Sequence, residues 1–316
     1  MTSSERVARA PRVSGRIARS GRIARKEAIS GYLFISPWLV GFLVLFAGPI
    51  VASLLLSFCQ WDIMSPLKWV GMANYERLIR DELFWQSLKV TGLFTLLDVP
   101  LCLFLGIGVA LLMNQKVPGL SFFRTVYYLP SVVSGVAVSL LWIWIYNPDH
   151  GLLNNFLRNV GIQGPQWLQD PRWALLALVG VSVWQVGGTM IIYLAGIQGI
   201  PTQLFEAARI DGANRGQILF KITLPMLTPV IFYNMVVGII KSLQTFTEVY
   251  VMTGGGPNNA TLFYMLNLYR NAFKWFKMGY ASSLAWILFL LILVCTLFLL
   301  RSSSSWVYYE SETRGG

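Results

Sequence analysis

Residues 206–217 read "EAARIDGANRGQ", a polar stretch set between "WALLALVGVSVWQVGGTMIIYLAGIQGIP" (173–201) and "MLTPVIFYNMVVGII" (226–240). Each flank approaches the roughly 20 apolar residues that carry a helix across hydrocarbon. The segment between them brings Glu206, Arg209, Asp211 and Arg215 together, charges that lipid will not accept unpaired. It must therefore surface between two spans. That decides the fold class: an all-α, polytopic membrane protein.

The rest of the chain agrees. Of its 316 residues 55% are hydrophobic and 12% charged, with a mean hydropathy of +0.57. A soluble domain carries about 25% charged residues. Hydrophobic periodicity and length place about six spans, over 32–58, 87–114, 123–146, 173–199, 226–249 and 279–300. Pro37 and Pro49 interrupt the first and Pro100 the second, where packed neighbours can take up the freed carbonyls. The chain thus divides into a basic tail (1–30), a transmembrane domain (31–301) holding the polar loop at about 200–225, and a short C-terminal tail (302–316).

Loop charge orients these spans. With the N-terminus in the cytoplasm, that side holds fifteen Lys and Arg residues against eight outside. The positive-inside rule then puts both termini in the cytoplasm. The repeat "SGRIARSGRIAR" (14–25) supplies much of that excess. It reads as a solvated basic arm near anionic headgroups, or as a regulatory or partner-binding arm. Its following apolar run is too long for a signal peptide.

Several chemistries are excluded. Cys59, Cys102 and Cys295 are widely spaced and form no metal or redox motif, so they read as small packing residues. His150 stands alone, too little for a histidine metal site or a Ser-His-Asp triad. No phosphate-binding GxxxxGK[ST] loop occurs. Neither catalytic nor metal-ligating residues are assigned, and nucleic acid is not an expected partner.

The polar loop has an internal design. "PTQLFEAARIDG" (201–212) predicts a short helix, with Pro201 and Thr202 at its start and Gly212 as a left-handed stop. Leu204, Phe205 and Ala208 form an apolar stripe, and Glu206 and Arg209 are spaced to pair. Ala207 and Ala208 keep the helix thin enough for a close neighbour. A second helix runs from about Ala213, and Pro225 opens the fifth span.

Glu206-Ala207-Ala208, then Gly212, Ile222, Leu224 and Pro225, resembles the EAA-loop signature of binding-protein-dependent ABC importers. "WVGMANYERLI" (69–79), "GLLNNFL" (151–157), "YLAGIQGIPTQLFEAARIDGA" (193–213) and "TGGGP" (253–257) extend the likeness over about residues 30–300. Together they resemble the carbohydrate-importer permeases, of the type of the larger maltose permease and the sn-glycerol-3-phosphate permease A subunit. The resemblance implies a MetI-like core and a loop that docks on an ATPase subunit through Leu204, Phe205, Glu206, Ala207, Ala208, Asp211 and Gly212. It implies a second homologous permease, an ATPase dimer that binds ATP and Mg, an extracytoplasmic solute-binding protein, and membrane lipid around the whole. This chain itself would hold no cofactor. The cargo implied is a sugar, oligosaccharide or polyol, moved across a bacterial inner membrane.

Cargo contacts should appear as polar groups inside spans. In "KSLQTFTE" (241–248), Lys241, Gln244, Thr245 and Glu248 follow helical spacing and predict one polar face. A lysine at mid-bilayer costs roughly 2.5–3.5 kcal/mol and an acid about as much, while the span's nine Leu, Ile, Phe and Val return roughly 3–5 kcal/mol. That face should therefore look into the bundle. Trp184, Gln185, Thr189 and Tyr193 in the fourth span could stack on a sugar ring or bond its hydroxyls. Lys241 and Glu248 could instead pair with each other, and Asp98 reads as a structural partner. An ion-coupled secondary transporter, with Asp98, Lys241 and Glu248 carrying ions, is the alternative reading.

Overall fold

The computed structural model describes residues 17–115 and 117–308, with side chains from residue 25 onward. The ends of the tails and Lys116 lie outside the described residues, and so does most of the basic repeat's side-chain chemistry. By contact the chain forms two units, one up to Leu55 and one from Leu56 on.

The first unit is helical, α1 (Ile17–Phe42) passing through a π-turn (Leu43–Ala47) into α2 (Gly48–Ser57). Helix begins at Ile17, inside the stretch read as a solvated tail. The π-turn stands directly before Pro49. Gly48 donates its N–H five residues back, to the Leu43 carbonyl, and proline enters a turn already widened around its missing donor.

The second unit opens with a two-stranded hairpin, β1 (Cys59–Gln60) antiparallel to β2 (Lys68–Trp69), pairing Cys59 with Trp69. It continues through α3 (Ala73–Arg80), α4 (Glu82–Met113), α5 (Leu120–Val132), α6 (Gly135–Ile145) and α7 (Leu152–Asn159). Then come α8 (Pro171–Trp184), α9 (Gly187–Gln198), α10 (Thr202–Ile210), α11 (Arg215–Ile218) and α12 (Leu224–Leu243). The last are α13 (Thr247–Met252), α14 (Tyr264–Tyr269) and α15 (Met278–Ser303). Helix α4 is the central post, packing on α8, α9, α12 and α14. Tyr264 ties three elements together: its N–H reaches Thr91 Oγ1 of α4 and its hydroxyl reaches the Leu284 carbonyl of α15, both at 2.8 Å.

Among the described residues four helical runs are long and apolar enough to cross a membrane: Arg25–Ser57, Glu82–Met113, Arg215–Met252 and Met278–Ser303. Two further spans are bent pairs, α5 with α6 at 101° and α8 with α9 at 44°. The spans expected at 123–146 and 173–199 are present as these bent pairs, each broken near its middle. Pro130 weakens the end of α5, and Val133 turns to extended backbone (φ −71°, ψ 141°). At the second break Gly187 lets α9 approach α5 closely, because a Cβ there would collide with the Tyr127 carbonyl.

The fifth span also departs from expectation. Pro225 does not open it; the helix is already running at Arg215. A π-turn (Leu219–Thr223) precedes Pro225 in the same register as the one before Pro49, with Leu224 donating back to Leu219.

Candidate coupling surface and translocation cavity

Helix α10 stands clear of the bundle and has no buried residue. Its end is a Schellman motif. Gly212 has φ +75°, its N–H reaches the Arg209 carbonyl at 3.1 Å, and the Ala213 N–H reaches the Ala208 carbonyl at 2.8 Å. Only glycine holds that left-handed backbone without strain. Two residues after Gly212, Asn214 begins a reciprocal capping box with Gln217, each side chain bonding the other's backbone N–H at 2.8 Å. Helix α10 is therefore tied through two closed turns to the start of α11, which continues into α12.

Faces of α10 differ from the expected stripe. Phe205 and Ala208 are half-buried, whereas Leu204, Glu206, Ala207 and Asp211 are exposed. Ile210, not foreseen from the sequence, is 87% exposed. It stands one turn from Glu206 and Ala207, giving the outward face an apolar tip. Glu206 and Arg209 do not pair; among the described residues the ion pair formed is Arg172–Asp170. Both side chains are thus available to a partner.

The second feature is a cavity of about 380 Å³ between α4, α8, α9, α12 and α13. Its wall includes Asp98, Cys102, Ser182, Gln185, Thr189, Lys241, Ser242, Gln244, Thr245 and Glu248. This grouping does not come from the continuous helical face that the spacing predicts. Helix α12 ends at Leu243, residues 244–246 leave the helix, and Phe246 takes φ −137°, ψ −55°. Lys241 stands before the break and Glu248 after it. Both still reach the cavity because the unwound segment lies along its wall. Such breaks are tolerated at membrane depth where backbone lines a cavity.

Two expected members are elsewhere. Tyr193 is fully buried and its ring packs on Gly106, where an added Cβ would sit 3.2 Å away. Trp184 is 38% exposed and meets Trp142 edge-on at 5.7 Å. Neither lines the cavity that Gln185 and Thr189 reach.

Asp98, read as structural, is 7% exposed and on the cavity wall. It accepts from the Cys102 thiol at 3.4 Å, and Cys102 lies 3.8 Å from Ser182 Oγ. Ser242 donates to Thr95 Oγ1 at 3.0 Å, joining α12 to α4 beside it. Cys102 is Asp98's neighbour one turn on in α4, whereas Ser182 and Ser242 come from α8 and α12, far apart in sequence, where spacing alone could not reveal them. Among the described residues no group of three or more His, Cys, Asp or Glu is placed to hold a metal.

Residues 103–307 match the family model "Binding-protein-dependent transport system inner membrane component". The chain is 45% identical over 90% of its length to the probable ABC transporter permease protein YesP of Bacillus subtilis, covering 94% of that protein. It is 37% identical over 84% of its length to the lactose transport system permease protein LacF of Rhizobium radiobacter, covering 91% of that protein. Its fold matches a chain of a bacterial ABC transporter involved in import of the acidic polysaccharide alginate. The TM-score there is 0.79 at 24% identity, over 91% of this chain and 99% of that one. The chain therefore belongs to the binding-protein-dependent inner membrane components, the permease subunits of ABC transporters.

Proposed function

We propose that this chain is one half of the pore of an ATP-driven importer for a sugar, oligosaccharide or polyol. A second related permease completes the pore, two copies of an ATPase subunit bind ATP and Mg, and an extracytoplasmic solute-binding protein delivers cargo. Both termini and α10 face the cytoplasm of a bacterial inner membrane. Relatives named for sugar transport support the cargo class.

The observation that carries the coupling role is the free face of α10, with Ile210 at 87% exposure on a helix closed by Gly212. Closure of the ATPase dimer moves α10, and the capped α11 passes that displacement into α12 and hence to the broken segment at 244–246. Glu206 and Arg209 supply charge-assisted contacts to the docking groove, while Ala207 allows close approach.

Ile210→Asp tests this. ATP-dependent uptake in proteoliposomes holding the complete importer should fall about tenfold or more, as loss of a buried apolar anchor at an interface implies. The permease's thermal midpoint should stay unchanged, because Ile210 touches little of its own chain. Uptake that continues without the ATPase, driven by an ion gradient, would overturn the reading in favour of a secondary transporter.

A further inference from the structure

Import of a sugar-like solute leaves the cargo's charge open, and the cavity wall bears on it. Three charged side chains line the cavity: Asp98 on α4, Lys241 at the end of α12 and Glu248 on α13. They are not paired with one another, since the described residues form an ion pair only at Arg172–Asp170. Glu248 lies toward α6, where a Cβ added to Gly135 would sit 3.3 Å from its Oε1. Asp98 points among the Cys102, Ser182 and Ser242 side chains.

Two carboxylates against one ammonium leave this wall at −1 with Asp98 ionised, and at 0 with Asp98 protonated. In neither state is there surplus positive charge. An anionic solute would lose hydration here and meet carboxylates with too few cations to compensate. A neutral polyhydroxy solute fits the same chemistry. Carboxylate and amide oxygens accept from its hydroxyls, while Lys241, Gln185 and Gln244 donate to its oxygens.

We propose that the cavity admits uncharged saccharides or polyols and turns away uronates, sulfonates and sugar phosphates. This rests on the cavity being the cargo route of the importer.

The potential in the cavity can be read without transport. Gln244→Cys, with Cys59, Cys102 and Cys295 replaced by serine, places one thiol on the wall of the assembled importer. Its reaction rates with trimethylammonium-ethyl and sulfonatoethyl methanethiosulfonate are each divided by the rate with 2-mercaptoethanol. With Asp98 ionised the cationic reagent should lead by about threefold or more, as focused charge implies, and with Asp98 protonated the two should run level, which equally leaves no surplus positive charge. Adding Asp98→Asn and Glu248→Gln leaves Lys241 alone at +1 and should pass the lead to the anionic reagent in that variant, and Lys241→Gln should widen the cationic lead. A faster anionic reagent with all three charged side chains in place overturns the proposal, and so does a thiol that neither reagent reaches. Should the serine replacements prevent assembly, mass spectrometry of the solute retained by the cognate binding protein decides: an acidic solute overturns, a neutral one supports. Anion preference would refute the cargo class while leaving ATP-driven import intact; loss of ATP dependence would do the reverse.

Discussion

Helix α10 and the cavity wall both serve transport, yet they are built in opposite ways. Helix α10 is local: its start, stop and caps all lie within residues 201–217, and every closing hydrogen bond spans a few residues. The cavity wall is assembled from five helices and an unwound segment whose residues run from Phe94 to Glu248. A local device fails when its backbone is denied its turn. A composite one fails when helices can no longer approach.

Gly212→Val separates the two most sharply. A β-branched side chain at φ +75° is strained, by about 1–2 kcal/mol for the left-handed backbone alone and more for the branch. The turn reopens and α10 loses its fixed placement. ATP-dependent uptake should drop by about tenfold or more, while the thermal midpoint of the purified permease stays near wild type, since α10 has no fully buried residue. A large loss of stability would show that α10 is part of the core after all.

Gly187→Ala should give the converse result. The added methyl meets the Tyr127 carbonyl and forces α9 from α5, beside the bend that sets the cavity's α8–α9 wall. Overpacking of this kind costs about 1–3 kcal/mol. The thermal midpoint and membrane level should fall together, and uptake per folded molecule should fall less than in Gly212→Val. An unchanged midpoint would mean the two helices can part freely, and the cavity would not depend on that contact.

The same contrast explains what the sequence could disclose. The α10 stop at Gly212 and the helical character of the spans follow from spacing within a turn or two, so one chain suffices to read them. Ile210 left a weaker trace, an isoleucine at a helix end where a polar residue would do. The 101° break after Val132 was missed because a run of apolar residues reads alike whether straight or bent. Unwinding at Gln244 was hidden by a pattern that fits an unbroken helix. The place of Asp98 on the cavity wall was not legible, because Ser182 and Ser242 reach it only through packing, across long sequence separations.

The mildest probe addresses how rigidly α10 is joined to α12. Asn214→Ala removes the side-chain acceptor of the capping box, where Gln217 N–H is held at 2.8 Å. Such a loss typically costs about 1 kcal/mol. Because α11 is only one turn long, that energy is spent on the joint between the two helices and not on the bundle. Uptake should fall by a few-fold at most, with the midpoint nearly unmoved. Gln217→Ala should do the same, and the double variant should be little worse than either single one, because each side chain holds the other's backbone and the pair acts as a unit. Additive losses would show two independent contacts and a looser lever, one in which the π-turn at Leu219–Thr223 absorbs motion before it reaches Lys241.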